Sequence, residues 1–559
     1  MSAQTFALLL VLAAIGMLVS VTARARGRAT TLDFYLAGRR VGTVTNACAI
    51  CGDYFSAASF LGVAAAVYAS GLDGVWYAAG FAAGFVPVLL FVAAPLRRFG
   101  RISLPDFLGE RFASERVRLV AVVIVQLVVL AYLVPQAVGS GITWELLVGR
   151  GVAGLSPYAT GVIVSAVLIA ALVVIGGMRG TTWNQALQFL LLLTVLLWLT
   201  TLALSAGFSY PGAVDEASAT ALEVPAPDGE GLTTTPDRLR PERDAVFGSP
   251  GARYGGLGQF ALLTTLVLGT AGLPHVMNRY FTSPTGRSTR FTTVWVLGLA
   301  GAFYALAVLL GTAARVTIAE HAGTAPWLDE LTVDGVLRVP EHALLALGRI
   351  HAGVPGLGLV ATAAFAAMIS TIGGLLLAAA ASWGHDVYER YVNPRASQRQ
   401  AIRAGRVAVA VASAVAAGVA LALEPARLSA DFPSVVALLV TWAFALAGSA
   451  LTPVLLLAIW WRGTSTRGAV AGMVAGACTA VVLLAAGLSR GGGADDLGSL
   501  LLAPTLVAAP VATLATVVLS RVDGQPAGVT AVWLRMHGTA ADRQVERFAR
   551  LASRQGRQP

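Results

Sequence analysis

Residues Cys48–Gly62 read CAICGDYFSAASFLG, and this stretch decides the fold. Apolar residues flank it on both sides, yet its middle carries Gly52, Asp53, Tyr54, Ser56 and Ser59. Lipid cannot hydrogen-bond a backbone, so a spanning segment must be helical or must line a protein-enclosed cavity. Glycine and aspartate both weaken a helix. A helix that opens at Gly52–Phe55 turns free carbonyls and helix ends inward at mid-membrane. Such an interruption can hold a bare cation beside an anion. For this stretch alone, a continuous helix with a few polar packing residues competes with that reading.

Composition supports a membrane setting. The chain has 559 residues, 56% hydrophobic and only 12% charged, with mean hydropathy +0.74. Soluble chains carry about 25% charged residues. The net charge is +10, but the arginines sit in short loops between apolar runs, so they read as topology and not as a nucleic-acid surface. No lysine occurs anywhere. That removes the GxxxxGK[ST] phosphate loop and any Schiff-base lysine, so an ion gradient is the expected energy source for uphill movement. Cys48 and Cys51 form a CxxC inside an apolar helix, which reads as small packing residues and not as a redox pair.

Working outward, Phe6–Val21 is the first apolar run, and Arg24, Arg26 and Arg28 follow it. The positive-inside rule places this N-terminus outside and the arginines in the cytoplasm. The chain then alternates. Apolar runs end at the basic stretches 95–101, 179, 287–290, 390–406 and 462–467, each assigned to the cytoplasm. The acidic, Pro/Gly-rich stretch Gly207–Arg253 and the mixed stretch Arg315–Val354 fall outside. The tail from Arg521 is basic and cytoplasmic. This yields an all-α polytopic chain of about thirteen spans, each near the ~20 apolar residues a bilayer requires. A multi-pass protein of the plasma membrane is expected, in contact with the lipid bilayer.

A second span is interrupted. Leu257–Val276 contains Gly269, Thr270, Gly272 and Pro274, five spans after the first break and therefore running in the opposite direction. A matched pair of Gly/Pro-interrupted segments points to an inverted-repeat transporter site. A third element, Ala366–Gly374, sets Ala367, Ser370 and Thr371 at i, i+3 and i+4 on one helical face. Two hydroxyls and a carbonyl suit a hard cation, which favours oxygen ligands. Back-bonding of each hydroxyl to its own helix is the plainer alternative.

These stretches resemble the sodium:solute symporters, most closely their acetate (monocarboxylate) branch. The resemblance lies in Phe34–Gly38, Asp53–Gly62, Gly71–Gly74, Gly176–Trp183, Gly269–His275 and Ala379–Asp386, in family order. It implies a leucine-transporter-like 5+5 inverted-repeat core, with one helix before it and two after. The corresponding division is 1–30 for the first helix and basic loop, 31–206 and 254–462 for the repeats, 207–253 for an outer loop, 463–520 for two extra helices and 521–559 for the tail. The resemblance also implies a sodium site. Family positions fall on Gly52 and Phe55, whose carbonyls lie at the first break, and on Ala367, Ser370 and Thr371. Ala58 and Ser59 stand where sugar-transporting members carry hydroxyl-binding residues. Trp183-Asn-Gln185 departs from members with an acidic residue there, which bears on the inner sodium route.

The function expected is secondary active uptake of a small monocarboxylate such as acetate, propionate or pyruvate, with sodium as the coupling ion. Asp53, Tyr54, Ser56, Ser59, Thr270 and Gly272 are the candidate substrate residues, the carboxylate docking at half-helix N-termini that carry partial positive charge. Asp53 could instead cap a half-helix. His275 and His385 are assigned to the cytoplasmic ends of their segments, and Glu145 to a solvated outer end. Proton-coupled uptake, uptake of an amino acid such as proline, and a non-transporting sensor are the alternatives. An enzyme is not expected, because no HExxH, GxSxG or dinucleotide fingerprint occurs.

Overall fold

The computed structural model describes residues 16–17, 19, 21–22, 30–219, 255–333, 335–423, 434–490, 496–524 and 528–538. Most of the first apolar run, the Arg24–Arg28 loop, most of 207–253 and the end of the tail lie outside the described residues.

Among the described residues, ten helices are long and apolar enough to cross a membrane. Two of them hold two crossings each. Pro157–Ser205 has 49 residues, or about 74 Å at 1.5 Å per residue, against a ~30 Å hydrocarbon core. Its ladder breaks at Gly177, whose φ of 53° and ψ of −160° suit only glycine. Residues 58–99 divide likewise at Gly71, with φ 55° and ψ −128°. The described chain therefore makes about twelve crossings, in accord with the count read from the sequence once the first run is added.

The helices overrun the apolar runs at both ends. Gly286–His321 begins at a Thr285 capping box, and Gln398–Ala422 at a Ser397 capping box. Polar flanks are recruited as caps, which apolar patterning does not report. Arg315–Val354 is not a plain loop. Arg315 is buried in the helix and donates to Tyr68 O (3.1 Å), and a two-stranded hairpin, Thr332–Val333 against Val336–Leu337, follows. Helix Ala343–Ala381 begins earlier than its apolar run suggests and breaks at Ala352–Gly353. It runs through the centre of the molecule, wholly buried in its most apolar window.

The loops assigned to one side do meet on one face. Arg39 donates to Gly100 O and Arg101 O, Arg97 to Pro284 O, and Arg98 to Met536 O. Arg535 pairs with Glu110 at 2.8 Å. Val529–His537 is thus a docked helix, where the sequence suggested only a polar tail. At the opposite face Gln259 bonds Asp73 (2.9 Å) and Glu341 accepts from Ser434 (2.9 Å).

Candidate functional site

Both interrupted helices are broken, each at the C-terminal end of the stretch the sequence suggested. Thr43–Tyr54 ends at Phe55 (φ −78°, ψ 79°), and the chain resumes a helix around Ala58. Gly52 lies inside the regular helix, where a side chain would collide with the Gln185 backbone, so its glycine serves close packing. The amides that would close onto Gly52 and Asp53 turn away. Ser56 N–H donates to Tyr54 O (2.9 Å) and Ala57 N–H to Gln136 Oε1 (2.9 Å). Gly255–Gly272 breaks at Leu273 and restarts as Pro274–Phe281, with proline at the first turn where its missing N–H costs nothing.

The predicted cation residues lie close together. Thr371 Oγ1 donates to Asp53 O at 2.8 Å, tying the central helix to the first break. Ser370 Oγ donates to Ala367 O at 2.7 Å, the back-bonding geometry common to membrane helices. Phe55 is stacked on Phe303 with centroids 4.0 Å apart.

The predicted substrate residues make different sets of contacts around the breaks. Tyr54 OH bonds Thr270 Oγ1 (2.7 Å) and Phe81 O (3.0 Å), inside a cage of Phe81, Phe85 and Phe444 rings. Ser59 bonds Tyr304 OH (2.8 Å), and Ser56 is buried beside Tyr132. Gly272 packs against Ala447 and Thr452 of the segment 447–460.

Asp53 stands apart and is not a cap. It sits in the last turn of its helix, where a carboxylate has no free amides to meet. Its carboxylate pairs with Arg279 Nε (3.3 Å) and accepts from Gln185 Nε2 (3.0 Å). Arg279 also donates to Thr182 Oγ1 (2.6 Å) and to Gln185 Oε1. Gln185 Nε2 reaches Ser370 O (2.7 Å), so this network abuts the cation residues. Asp53 and Arg279 side chains are 0% and 1% exposed, making this an ion pair buried at membrane depth.

Sequence reasoning missed Arg279, Gln185, Tyr132 and Gln136 as site residues and misplaced His275. Arg279 follows Leu257–Val276 directly and drew no site assignment from the sequence. His275 is buried at the second break, its ring 5.4 Å from Tyr132, and neither ring nitrogen has a partner among the described residues. Gln136 Nε2 is likewise without one. A signal existed: Tyr132, Gln136, Ser140 and Thr143 recur on one face of Glu115–Val148. His385 lies, as expected, at the arginine-rich face, bonded to Glu389 (2.8 Å), and Glu145 is exposed.

A cavity of about 620 Å³ opens beside this network, lined in part by Asp33, Arg40, Thr45, Arg179 and Thr182.

Comparison with known proteins agrees with this fold. The fold matches a Na+-coupled sialic acid symporter solved in a substrate-bound outward-open state, with TM-score 0.68 and 17% identity over 92% of this chain and 97% of that one. It also matches a nucleobase-cation-symport-1 family transporter in a closed conformation (TM-score 0.50, 14% identity, 90% and 98% covered). A manganese transporter from Eremococcus coleocola matches at TM-score 0.50 and 14% identity, with 87% and 96% covered. These likenesses show the leucine-transporter fold. The family model described as "Sodium:solute symporter family" matches residues 34–476, most of the chain, so this protein belongs to the sodium:solute symporter family.

Proposed function

We propose that this sodium-coupled symporter takes up a small monocarboxylate such as acetate, propionate or pyruvate. The observation that carries the reading is the group of donors at the two breaks. The Gln136 amide nitrogen and the His275 ring lack partners among the described residues, and Ser56 and Tyr132 lie beside them. The Gln136 amide N–H, a ring N–H of His275 and the Ser56 and Tyr132 hydroxyls can all donate to an anion, and the surrounding rings suit a short apolar body. A sugar would need matched acceptors as well, and each unpaired buried polar group costs about 1–3 kcal/mol. The partial positive charge at the start of Pro274–Phe281 stands in for a basic side chain.

In this scheme sodium loses its water shell to carbonyls at Gly52, Phe55 and Ala367 and to the Ser370 and Thr371 hydroxyls. It braces the broken helix against the central one and favours the outward-open state. The carboxylate then docks near Ser56, Ser59 and Thr270, and the loaded carrier rocks open to the cytoplasm. The arginine-rich face is the cytoplasmic one, with the N-terminus outside, in the plasma membrane.

Uptake by proteoliposomes under an imposed sodium gradient tests this. Labelled acetate, propionate or pyruvate should accumulate, with at least tenfold less uptake when choline replaces sodium. Accumulation of proline or a sugar, with no monocarboxylate uptake, would remove the substrate assignment.

A further inference from the structure

We propose that Arg279 is an internal cation that competes with sodium for Asp53, so that sodium binding and the Asp53–Arg279 pair oppose one another. Three observations carry this. The first is proximity. Gln185 Nε2 bonds both the Asp53 carboxylate (3.0 Å) and Ser370 O (2.7 Å), and Thr371 Oγ1 bonds the Asp53 carbonyl (2.8 Å). One residue therefore offers its carbonyl to the cation residues and its carboxylate to a guanidinium. The second is saturation. Arg279 is held by Asp53, by Thr182 (2.6 Å) and by Gln185 Oε1, all oxygens of the kind a sodium ion takes. The third is packing. A side chain at Gly374 would collide with the Asp53 carboxylate, so the central helix gives way to let Asp53 reach this position.

Intramembrane ionisable residues are functional by default, and a cation beside a fixed guanidinium in low dielectric is strongly repelled. The pair also joins the half-helices Thr43–Tyr54 and Pro274–Phe281, one from each break. Thr182 lines the 620 Å³ cavity, so the guanidinium sits against the wall of a polar passage at the arginine-rich face. Arg279 is a positioning residue here. It sets where Asp53 points and how much charge a sodium ion meets, and by linkage the ion loosens the bridge between the two half-helices as strongly as the bridge weakens the ion.

The test is binding of radioactive sodium to purified protein without any organic substrate, so it does not depend on the monocarboxylate assignment. Arg279→Gln leaves the Asp53 charge uncompensated and should tighten sodium binding about tenfold, within the usual range of such couplings. Asp53→Asn should weaken it by a similar factor. The double variant, with both charges gone, should return to within about threefold of the parent. Arg279→Lys keeps the charge and should also stay near the parent. A merely structural role would alter yield and melting temperature and leave sodium affinity unchanged. Weaker or equal sodium binding by a monodisperse Arg279→Gln protein overturns the proposal. Should that variant fail to fold, the double variant is compared with Asp53→Asn alone. Tighter sodium binding by the double variant supports competition, and equal or weaker binding overturns it.

Discussion

Thr371 makes one bond that matters beyond its own helix. Its hydroxyl caps the Asp53 carbonyl at 2.8 Å, a carbonyl the first break has freed from the ladder. If that oxygen pair belongs to the cation site, Thr371→Ala should raise the sodium concentration for half-maximal uptake by about tenfold or more, on the scale of a charge-assisted contact. Ser370→Ala should do less, because its hydroxyl is already committed to Ala367 O at 2.7 Å. Uptake at graded sodium with fixed substrate measures both. Equal sodium dependence in Thr371→Ala and the parent would remove Thr371 from the site.

At the scale of elements, the short helix Leu104–Arg111 shows how the arginine-rich face is pinned. Ser103 caps it through the Asp106 amide (3.0 Å). The Asp106 carboxylate pairs with Arg118 (2.7 Å), and Arg118 also reaches Asp386 at 3.5 Å. Ligand atoms of Asp106, His385 and Asp386 all lie within 4.8 Å, but Arg118 and Arg390 already take Asp106 lone pairs, so the group tethers helices and does not present an open metal site. Burial would push the Asp106 carboxyl up. Hydrogen bonds and charge from His385 and Arg118 outweigh it and hold the group well below the usual carboxylate range. A depressed carboxylate adds stability above its unfolded value of about 3.9 and loses it as pH falls through the folded one. Asp106→Asn should therefore lower stability by about 2 kcal/mol at neutral pH. Melting curves of the two proteins should converge only in strong acid.

For the molecule as a whole, the decisive arrangement is that alternate loops share a face. With Cys48, Cys51 and Cys478 replaced, a cysteine at exposed Thr324 should react with an impermeant thiol reagent on intact cells. A cysteine at exposed Arg395 should react only in inside-out vesicles. The reverse pattern would invert the proposed orientation while leaving the fold intact.

The sequence by itself determined the crossings, the two breaks and their opposed directions, because a bilayer admits few solutions and glycine and proline announce where a helix fails. It also placed Ser370 and Thr371 on one face. What only the tertiary structure decided was who meets whom. Arg279 drew no site assignment from the sequence and proved to be the partner of Asp53 from a helix five spans away. His275 looked interfacial and proved to stand at the second break. Helix ends were off because capping residues are polar and extend helices beyond their apolar runs. Periodicity reports which side of a helix is dry, whereas pairing of buried charges depends on distances between helices that no single stretch encodes.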